Sequence, residues 1–320
     1  IQKDLDDGID TIGKKMTVCQ LYAKQIRHRG NVRYNTKNGR KRLMKLLEED
    51  KLGGCPIDSV KLSDAKEWAI RMKEKGISYK TISNDKRSLK AAFYTAIQDD
   101  CIRKNPFDFQ LNTVIEDDTE PKVPLTPAQE ESFLSFAQND KVYQKYYDEL
   151  IILLGTGLRI SELCGLTDTD INFENRIINV DHQLLRSAET GYYIETPKTK
   201  SGIRQIPMSE KVYEAFNRVL KRRRGAKAVT IDGYSNFLFL NRDGYPKTAT
   251  NYDGMFRGLA KKYNKYHEEA LPKVMTPHTL RHTFCTNMAN AGMNPKALQY
   301  ITGHSNITMT LNYYAHATFD

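Results

Sequence analysis

The chain contains few of the residues that mark secreted or membrane-bound proteins. Only five of its 320 residues are cysteine, and none falls in a CxxC or other zinc-ligand spacing. No apolar run approaches the roughly 20 residues that a membrane-spanning helix needs, and no charged-then-apolar leader opens the sequence. We therefore expect reduced cysteines in packing roles and a soluble, cytoplasmic protein with no membrane partner.

Glycine and proline are also scarce, at 19 and 11 residues, which argues against fibrous and low-complexity classes. Hydrophobic residues make up 39% of the chain and charged residues 28%, as in globular proteins. A chain of 320 residues is long enough for two domains, each with its own core. The sequence offers neither a glycine-rich phosphate loop nor a carboxylate cluster suited to paired metals, so it predicts no cofactor and no metal.

Positive charge is concentrated in the amino-terminal part. The formal net charge is +10, and residues 1–110 hold 24 Lys and Arg against 15 Asp and Glu. Between Thr11 and Leu47 there are eleven Lys and Arg residues and no acidic residue. A solvated helix face usually mixes both signs, so this run indicates a surface that contacts phosphates. We predict DNA contacts from five residues of the run: Lys14, Lys15, Arg40, Lys41 and Arg42.

An acidic, proline-bearing segment divides the sequence into two parts. Residues 111–120 carry four acidic residues and no basic one, and the segment lacks hydrophobic periodicity, as domain linkers do. We predict a basic helical domain over 1–111, a linker over 112–124 and a second domain over 125–320. Helical spacing in the first domain predicts four helices, at about 16–28, 38–50, 63–75 and 80–99.

The second domain is predicted to be mainly helical with a small antiparallel sheet. A helix should begin at Thr126, where Thr-Pro-Ala-Gln supplies an N-cap, a proline at the first helical position and a Gln three residues after the cap. A buried helix should end at Gly155-Thr-Gly157. Three segments have the pattern of short strands, and the last two flank Lys198-Thr-Lys-Ser-Gly202 as a hairpin: 176–182, 191–197 and 203–207.

A histidine and an arginine lie together at the start of another predicted helix. Within Thr276-Pro-His-Thr-Leu-Arg-His, His278 and Arg281 are three residues apart and share one helix face. A base and a fork of donors are thus held at a helix N-terminus, which attracts anions. His278 and His282 also have a spacing that can bind zinc, but the glutamate of an HExxH site and a nearby third ligand are missing. The pattern favours an anion site over a metal site.

The order of these residues resembles the active-site order of the tyrosine recombinases, a family that includes lambda integrase, Cre and the Xer proteins. Gly155-Thr-Gly-Leu-Arg-Ile-Ser-Glu-Leu163 is similar to the family's first arginine box, and the segment around Lys198 to its catalytic hairpin. His278 and Arg281 match its His-x-x-Arg pair. The resemblance covers about residues 125–316 and implies a helical core-binding domain followed by an α+β catalytic domain.

The resemblance also implies six catalytic residues: Arg159, Lys198, His278, Arg281, His304 and Tyr314. In such an enzyme the two arginines bind the non-bridging phosphate oxygens, and Lys198 protonates the leaving 5′ oxygen. His278 accepts the tyrosine proton or bonds a phosphate oxygen, as His304 does. Glu162 is similar to an acidic residue that supports the site, and Lys200 remains an alternative to Lys198.

Two adjacent tyrosines are candidates for the nucleophile. Tyr314-Ala-His316 fits the Tyr-x-His ending of integrases from conjugative transposons and many phages, which favours Tyr314. Tyr313 has the His-to-Tyr spacing of Xer and lambda proteins and is the alternative. Adjacent helical residues point about 100° apart, so only one can face a given phosphate, and the other is predicted to be a packing residue.

The function that the resemblance implies is site-specific DNA recombination by a mobile-element integrase, through a 3′-phosphotyrosine and without ATP. The implied partners are double-stranded DNA at element ends and targets, and further copies of the chain, as a dimer to tetramer on DNA. Two other hypotheses for the function stay open: a type IB topoisomerase, and a DNA-binding protein that kept the fold without the reaction. The complete set of six site residues argues against the second.

Overall fold

A computed structural model describes residues 15–30, 32–197, 200–223 and 229–314. It confirms a mainly helical chain with small antiparallel sheets. Two predicted site residues, Lys14 and Lys198, lie outside the described residues. None of the helices in the described part has the length and apolar composition that crossing a membrane requires. All five cysteines have free thiols, and three of them are buried.

The chain forms two compact units, residues 1–120 and 121–320. The first contains the four predicted helices: α1 (Val18–His28), α2 (Tyr34–Glu48), α3 (Leu62–Glu74) and α4 (Tyr79–Gln98). Each helix has one buried face, as its spacing predicts. Trp68, Phe93 and Phe107 pack ring against ring in the core. Ile115 is also buried in this unit, so its packing continues into the segment predicted as a linker.

The second unit begins with α5 (Pro127–Asn139), whose Thr126 cap, Pro127 and Gln129 form the predicted capping box. Helix α6 (Tyr147–Thr156) is buried along nearly its whole length and ends at Gly157, which has a φ of +63°. The described residues of this unit go on to form α7 (Ile160–Gly165), α8 (Glu210–Arg223), α9 (Ala249–Tyr266), α10 (Pro277–Asn290), α11 (Pro295–Thr302) and α12 (Ile307–Tyr314). Helix α6 packs between α8 and α10 and so fixes the position of both.

Within the described part of this unit, five short strands form two antiparallel sheets: β1 (Ile171–Asn172), β2 (Ile177–Val180), β3 (Gln183–Ser187), β4 (Gly191–Glu195) and β5 (Arg204–Pro207). One sheet has the order β1-β2-β5, and β3 pairs with β4 in the other. The predicted hairpin between 191–197 and 203–207 is therefore wrong. A tight turn, where Ser187 accepts from the Thr190 backbone and Gly191 has a φ of +72°, pairs β4 with β3. β5 pairs instead with β2, placing Val180 opposite Arg204.

Candidate active site

Arg159 is held at the start of α7 by that helix. Its backbone N–H donates to Glu162 Oε2 at 2.8 Å, in a capping box. Its side chain donates to Glu162 Oε1 at 2.7 Å. Both bonds go to one carboxylate, so the backbone and the guanidinium of Arg159 are fixed together. Because 38% of the Arg159 side chain stays exposed, the guanidinium can still reach a ligand.

Helix α10 carries His278 in its first turn and Arg281 three residues later, on one face as predicted. Arg281 is buried and donates to Gly157 O at 2.5 Å and to Thr302 O at 2.6 Å. Burial and the charge of Arg159 lower the pKa of Arg281 to about 10, so it stays charged at neutral pH.

His278 lies at the exposed rim of the site. Desolvation by the surrounding protein atoms lowers its pKa to about 4, and the charges of Lys122 and Arg281 add to this effect. The ring is therefore neutral near pH 7. A neutral imidazole can accept a proton, which is what a general base requires.

The carboxyl end of α11 gathers three arginines. The last carbonyls of a helix have no partner within the helix and form the negative end of its dipole. Here each of three successive carbonyls accepts from a different guanidinium: Ile301 from Arg204 at 2.6 Å, Thr302 from Arg281 at 2.6 Å, and Gly303 from Arg159 at 2.9 Å. These contacts bring the predicted Arg159 and Arg281 together, although 122 positions separate them in the sequence.

Arg204 is a residue of this site that the sequence interpretation missed. The sequence pattern places Arg204 in the predicted strand 203–207 and gives it no role in the site, although its side chain is fully buried against Glu162. One signal for its role was present in the sequence. Arg204 is a charged residue at an inward-facing position of a short strand, between the apolar Ile203 and Ile206. A buried arginine needs a carboxylate partner, and Glu162 was already singled out as acidic support for the site.

Gly303 allows the chain to pass close to these arginines. Its φ of +65° is left-handed, and an added Cβ would lie 3.0 Å from Ser201 O and 3.2 Å from Arg204 Nη1. Any side chain at this position therefore strains the backbone and also pushes against the arginine cluster.

We expect Gly303→Ala to lower the free energy of unfolding by about 2–3 kcal/mol, the sum of left-handed strain and displaced neighbours. Denaturant unfolding measures the loss. Gly292→Ala is the matched control, because Gly292 has a φ of +75° but nothing within 4 Å of an added Cβ. It should lose only the strain, about 1 kcal/mol. Equal losses for the two variants would mean that the contacts at Gly303 carry no cost.

His304 follows α11 and is buried, with its Nδ1 3.0 Å from Thr310 Oγ1 on α12. Burial lowers its pKa from 6.5 to about 4, with further lowering by Arg281 and Arg159. The folded protein therefore binds fewer protons than the unfolded chain between these two pH values. Stability contributed by neutral His304 is complete above pH 6.5 and is lost as the pH falls toward 4.

Acidification thus offers a test of the environment of His304. Between pH 7 and pH 5, His304→Gln should lose less free energy of unfolding than the unchanged protein, by about 2 kcal/mol. Denaturant unfolding at both pH values gives the difference. His28→Gln, at an exposed histidine of α1, is the control for the substitution itself. A parallel pH dependence in the His304 variant and the unchanged protein would contradict the buried, neutral state.

The two candidate tyrosines have different surroundings. The Tyr313 ring lies parallel to His304, with 6.2 Å between centroids, and edge-on to His282 at 4.9 Å. Burial raises the pKa of Tyr313 to about 12, although Arg281 opposes the shift. The Tyr314 hydroxyl instead donates to the Met293 carbonyl. Tyr313 therefore lies among the site residues, while the predicted nucleophile Tyr314 is bound to a loop beside α11.

The lysine position is only partly described. Lys200 is exposed in a 3-10 turn over Lys200–Gly202, just before β5. Gly202, at the end of this turn, accepts from Arg204 Nη1 at 3.1 Å. The end of the turn before β5 is therefore bonded to the arginine cluster, and the choice between Lys198 and Lys200 stays a prediction.

One group in the described part of the chain, Asp170, Asp181 and His182, brings potential metal-ligating atoms within 4.8 Å of one another. His182 uses both ring nitrogens, with Nδ1 2.5 Å from Asp181 and Nε2 2.8 Å from Gly165 O. These bonds account for the group as a hydrogen-bonded cluster at the end of α7. The predicted zinc alternative, His278 with His282, does not fall in this group.

The basic run of the first unit is largely on the surface. Lys15, Lys41 and Arg42 are exposed, Arg40 is partly exposed, and a groove beside α2 is lined by Arg40 and Lys41 among others. Arg42 donates twice to the buried carboxylate of Asp85, at 2.5 and 2.7 Å. Arg42 thus has a structural partner in Asp85, whose buried carboxylate would lose both of these hydrogen bonds without it.

Comparisons with known proteins agree on one class. The profile described as the phage integrase family matches residues 124–320, which include every residue of the candidate active site. The chain is 68% identical over all of its 320 residues to the transposase from transposon Tn916 of Enterococcus faecalis, covering 79% of that protein.

Solved structures give the same result. The Tn1549 transposon integrase in complex with a circular intermediate DNA superposes with a TM-score of 0.91 at 78% identity, over 95% of this chain and 96% of that one. The same integrase in complex with transposon right end DNA superposes with a TM-score of 0.90 at 78% identity, again over 95% of this chain and 96% of that one.

Proposed function

Because this chain belongs to the phage integrase family of tyrosine recombinases, we propose that it integrates and excises a conjugative transposon by cutting and rejoining DNA through a 3′-phosphotyrosine. The observation that carries the proposal is the meeting of Arg159 and Arg281 at the end of α11, with a tyrosine ring stacked on the adjacent His304. Paired guanidinium groups suit the non-bridging oxygens of one phosphate.

The chemistry follows from charge and proton transfer. Attack on a phosphodiester gathers negative charge on five-coordinate phosphorus, and fixed guanidinium groups stabilise that charge. We propose that Arg159 and Arg281 bind the two non-bridging oxygens. Neutral His278 accepts the tyrosine proton or bonds the phosphate, and His304 bonds a phosphate oxygen. The lysine that precedes β5, proposed as Lys198, protonates the 5′ oxygen as it leaves.

For the nucleophile we propose Tyr313, the alternative of the sequence interpretation. Its ring contacts His304 and His282, and Arg281 acts on its hydroxyl electrostatically. The Tyr313 hydroxyl is hydrogen-bonded to Cys285, one turn after Arg281 on α10, whereas the Tyr314 hydroxyl donates to Met293 O on a loop. The proposal requires the Tyr313 hydroxyl to give up its proton to a base while the arginines stabilise the charge.

The proposed substrates are double-stranded DNA at the element ends and in the target, since relatives were solved with transposon end and circular intermediate DNA. Each active site forms one covalent bond to one strand, so joining two duplexes needs several copies. We therefore propose a dimer to tetramer on DNA. A DNA substrate in a bacterial host would place the protein in the cytoplasm. We assign DNA binding to residues 1–111, a linker to 112–124 and catalysis to 125–320.

A nicked suicide substrate tests the proposal. The protein is incubated with a transposon end that carries a nick just beyond the cleavage position, so that the cut fragment diffuses away and religation is prevented. We expect a covalent protein–DNA adduct that resists denaturation, and mass spectrometry of the digested adduct should identify the modified tyrosine. DNA binding without any adduct would favour a non-catalytic protein of the same fold.

The DNA contacts of the first unit have a separate test. Each neutralised phosphate contributes about 0.9 to the slope of log affinity against log salt concentration. Arg40→Ala combined with Lys41→Ala should therefore reduce the slope by up to about 1.8, for specific and random DNA alike. Arg42 is left unchanged because its loss would leave the buried Asp85 carboxylate without this ion-pair partner.

The matched control is Lys75→Ala with Lys104→Ala, which removes the same charge at two exposed positions outside the basic run. This pair should leave the slope nearly unchanged. An unaltered slope in the Arg40 and Lys41 variant would mean that this part of α2 faces solvent or a protein partner.

A further inference from the structure

We infer that Arg204 is a positioning residue of the reaction, which keeps Arg159 and Arg281 available for the scissile phosphate. The inference rests on the proposed function. It assigns a role to a side chain that does not touch DNA, because the Arg204 side chain has no exposed surface. Arg204 acts through its neighbours, and four hydrogen bonds define which neighbours these are.

Two of the four bonds go to Glu162. Arg204 Nη1 lies 3.0 Å from Oε1 and Nη2 lies 2.8 Å from Oε2, a two-pronged ion pair within the protein interior. Arg159 binds the same two oxygens from the other side, through its side chain and its backbone N–H. One buried carboxylate is therefore shared by two guanidinium groups.

This sharing sets the charge that the site can offer to a phosphate. Three arginines and one carboxylate leave two positive charges, and Glu162 keeps a lowered pKa because the bonds and charges of Arg204 and Arg159 outweigh the effect of burial. Without Arg204, the buried carboxylate has Arg159 as its remaining cation. Arg159 would then be neutralised by Glu162 when it is needed to stabilise a developing phosphorane.

The other two bonds join separate elements of the site. Arg204 Nε donates to Ile301 O, the first of the three α11 carbonyls, and Nη1 donates to Gly202 O in the 3-10 turn before β5. The next two carbonyls hold Arg281 and Arg159. Removing Arg204 leaves the Ile301 carbonyl without this donor, next to the two carbonyls on which the proposed phosphate-binding arginines depend.

The test compares cleavage of two suicide substrates, one with the normal scissile phosphate and one with a neutral methylphosphonate at that position. A neutral group gathers less charge, so its cleavage depends less on the two positive charges. We expect Arg204→Ala to slow phosphodiester cleavage by about 100-fold or more, and methylphosphonate cleavage by less than about 5-fold. Arg204→Lys, which keeps a charge but loses the fork, should fall between Arg204→Ala and the unchanged protein.

The ratio of the two rates is measured on one protein preparation, so partial unfolding cancels from it. Lys247→Met is the control for a purely structural effect, because it breaks another buried ion pair of the same unit, with Glu149 at 2.5 Å. It should lower stability without changing the ratio. Equal loss of both rates in the Arg204 variants would overturn the positioning role. Failure of the unchanged protein to cleave either substrate would instead overturn the proposed function.

Discussion

Replacing Tyr313 with phenylalanine is expected to abolish the covalent adduct with a suicide substrate. The change removes one hydroxyl and keeps the ring that packs on His282 and His304, so folding and DNA affinity should change little. The variant lacks the proposed attacking oxygen, and we expect cleavage to fall below detection. Gel analysis of the adduct, with binding measured in parallel, gives the result.

Tyr314→Phe is the matched control, since it removes the same atom from the adjacent residue. It loses the hydrogen bond to Met293 O, worth about 1 kcal/mol, and should still form the adduct. The opposite outcome, with Tyr313→Phe active and Tyr314→Phe inactive, would restore the nucleophile that the Tyr-x-His ending favours. Mass spectrometry of the digested adduct identifies the modified tyrosine, which tests the choice between Tyr313 and Tyr314 independently.

The nucleophile illustrates what sequence spacing can predict. Spacing and resemblance predict one of two adjacent tyrosines as the nucleophile, and the rotation of α12 decides which of them faces the site. That rotation depends on contacts that only the folded chain provides, such as Thr310 with His304. The Tyr-x-His ending favours Tyr314, whereas the packing of α12 favours Tyr313.

Local signals predicted the parts of the fold that depend on local structure. The four helices of the first unit begin and end within four residues of their predicted bounds, and the Thr126 capping box is confirmed. Helical periodicity and caps are encoded within a few residues, which explains this agreement.

Strand pairing failed because it depends on distant partners. Leu184 and Leu185 are consecutive apolar residues, so β3 lacks the alternation of apolar and polar residues that predicts a strand. Without β3, the pattern pairs β4 with β5 instead. The role of Arg204 was hidden for the same reason. Its burial arises only when β5 is brought beside α11 and Glu162, elements far from it in the sequence.

Arg281→Lys should cost the reaction far more than it costs DNA affinity. Arg281 spans two carbonyls, Gly157 O and Thr302 O, and a planar guanidinium keeps further N–H groups for a phosphate while it does so. A lysine ammonium is a single point of charge, so it cannot reach both carbonyls and a phosphate oxygen together. We expect cleavage at saturating protein to fall by about 1000-fold, and affinity to fall by less than about 10-fold, because one of many phosphate contacts is altered.

The matched control is Arg218→Lys, at an arginine of the same unit that pairs with Asp148, and this variant should cleave at the normal rate. Near-normal cleavage by the Arg281 variant would mean that this residue has only a structural role, joining the ends of α6 and α11. The phosphate would then have to be bound by Arg159 alone.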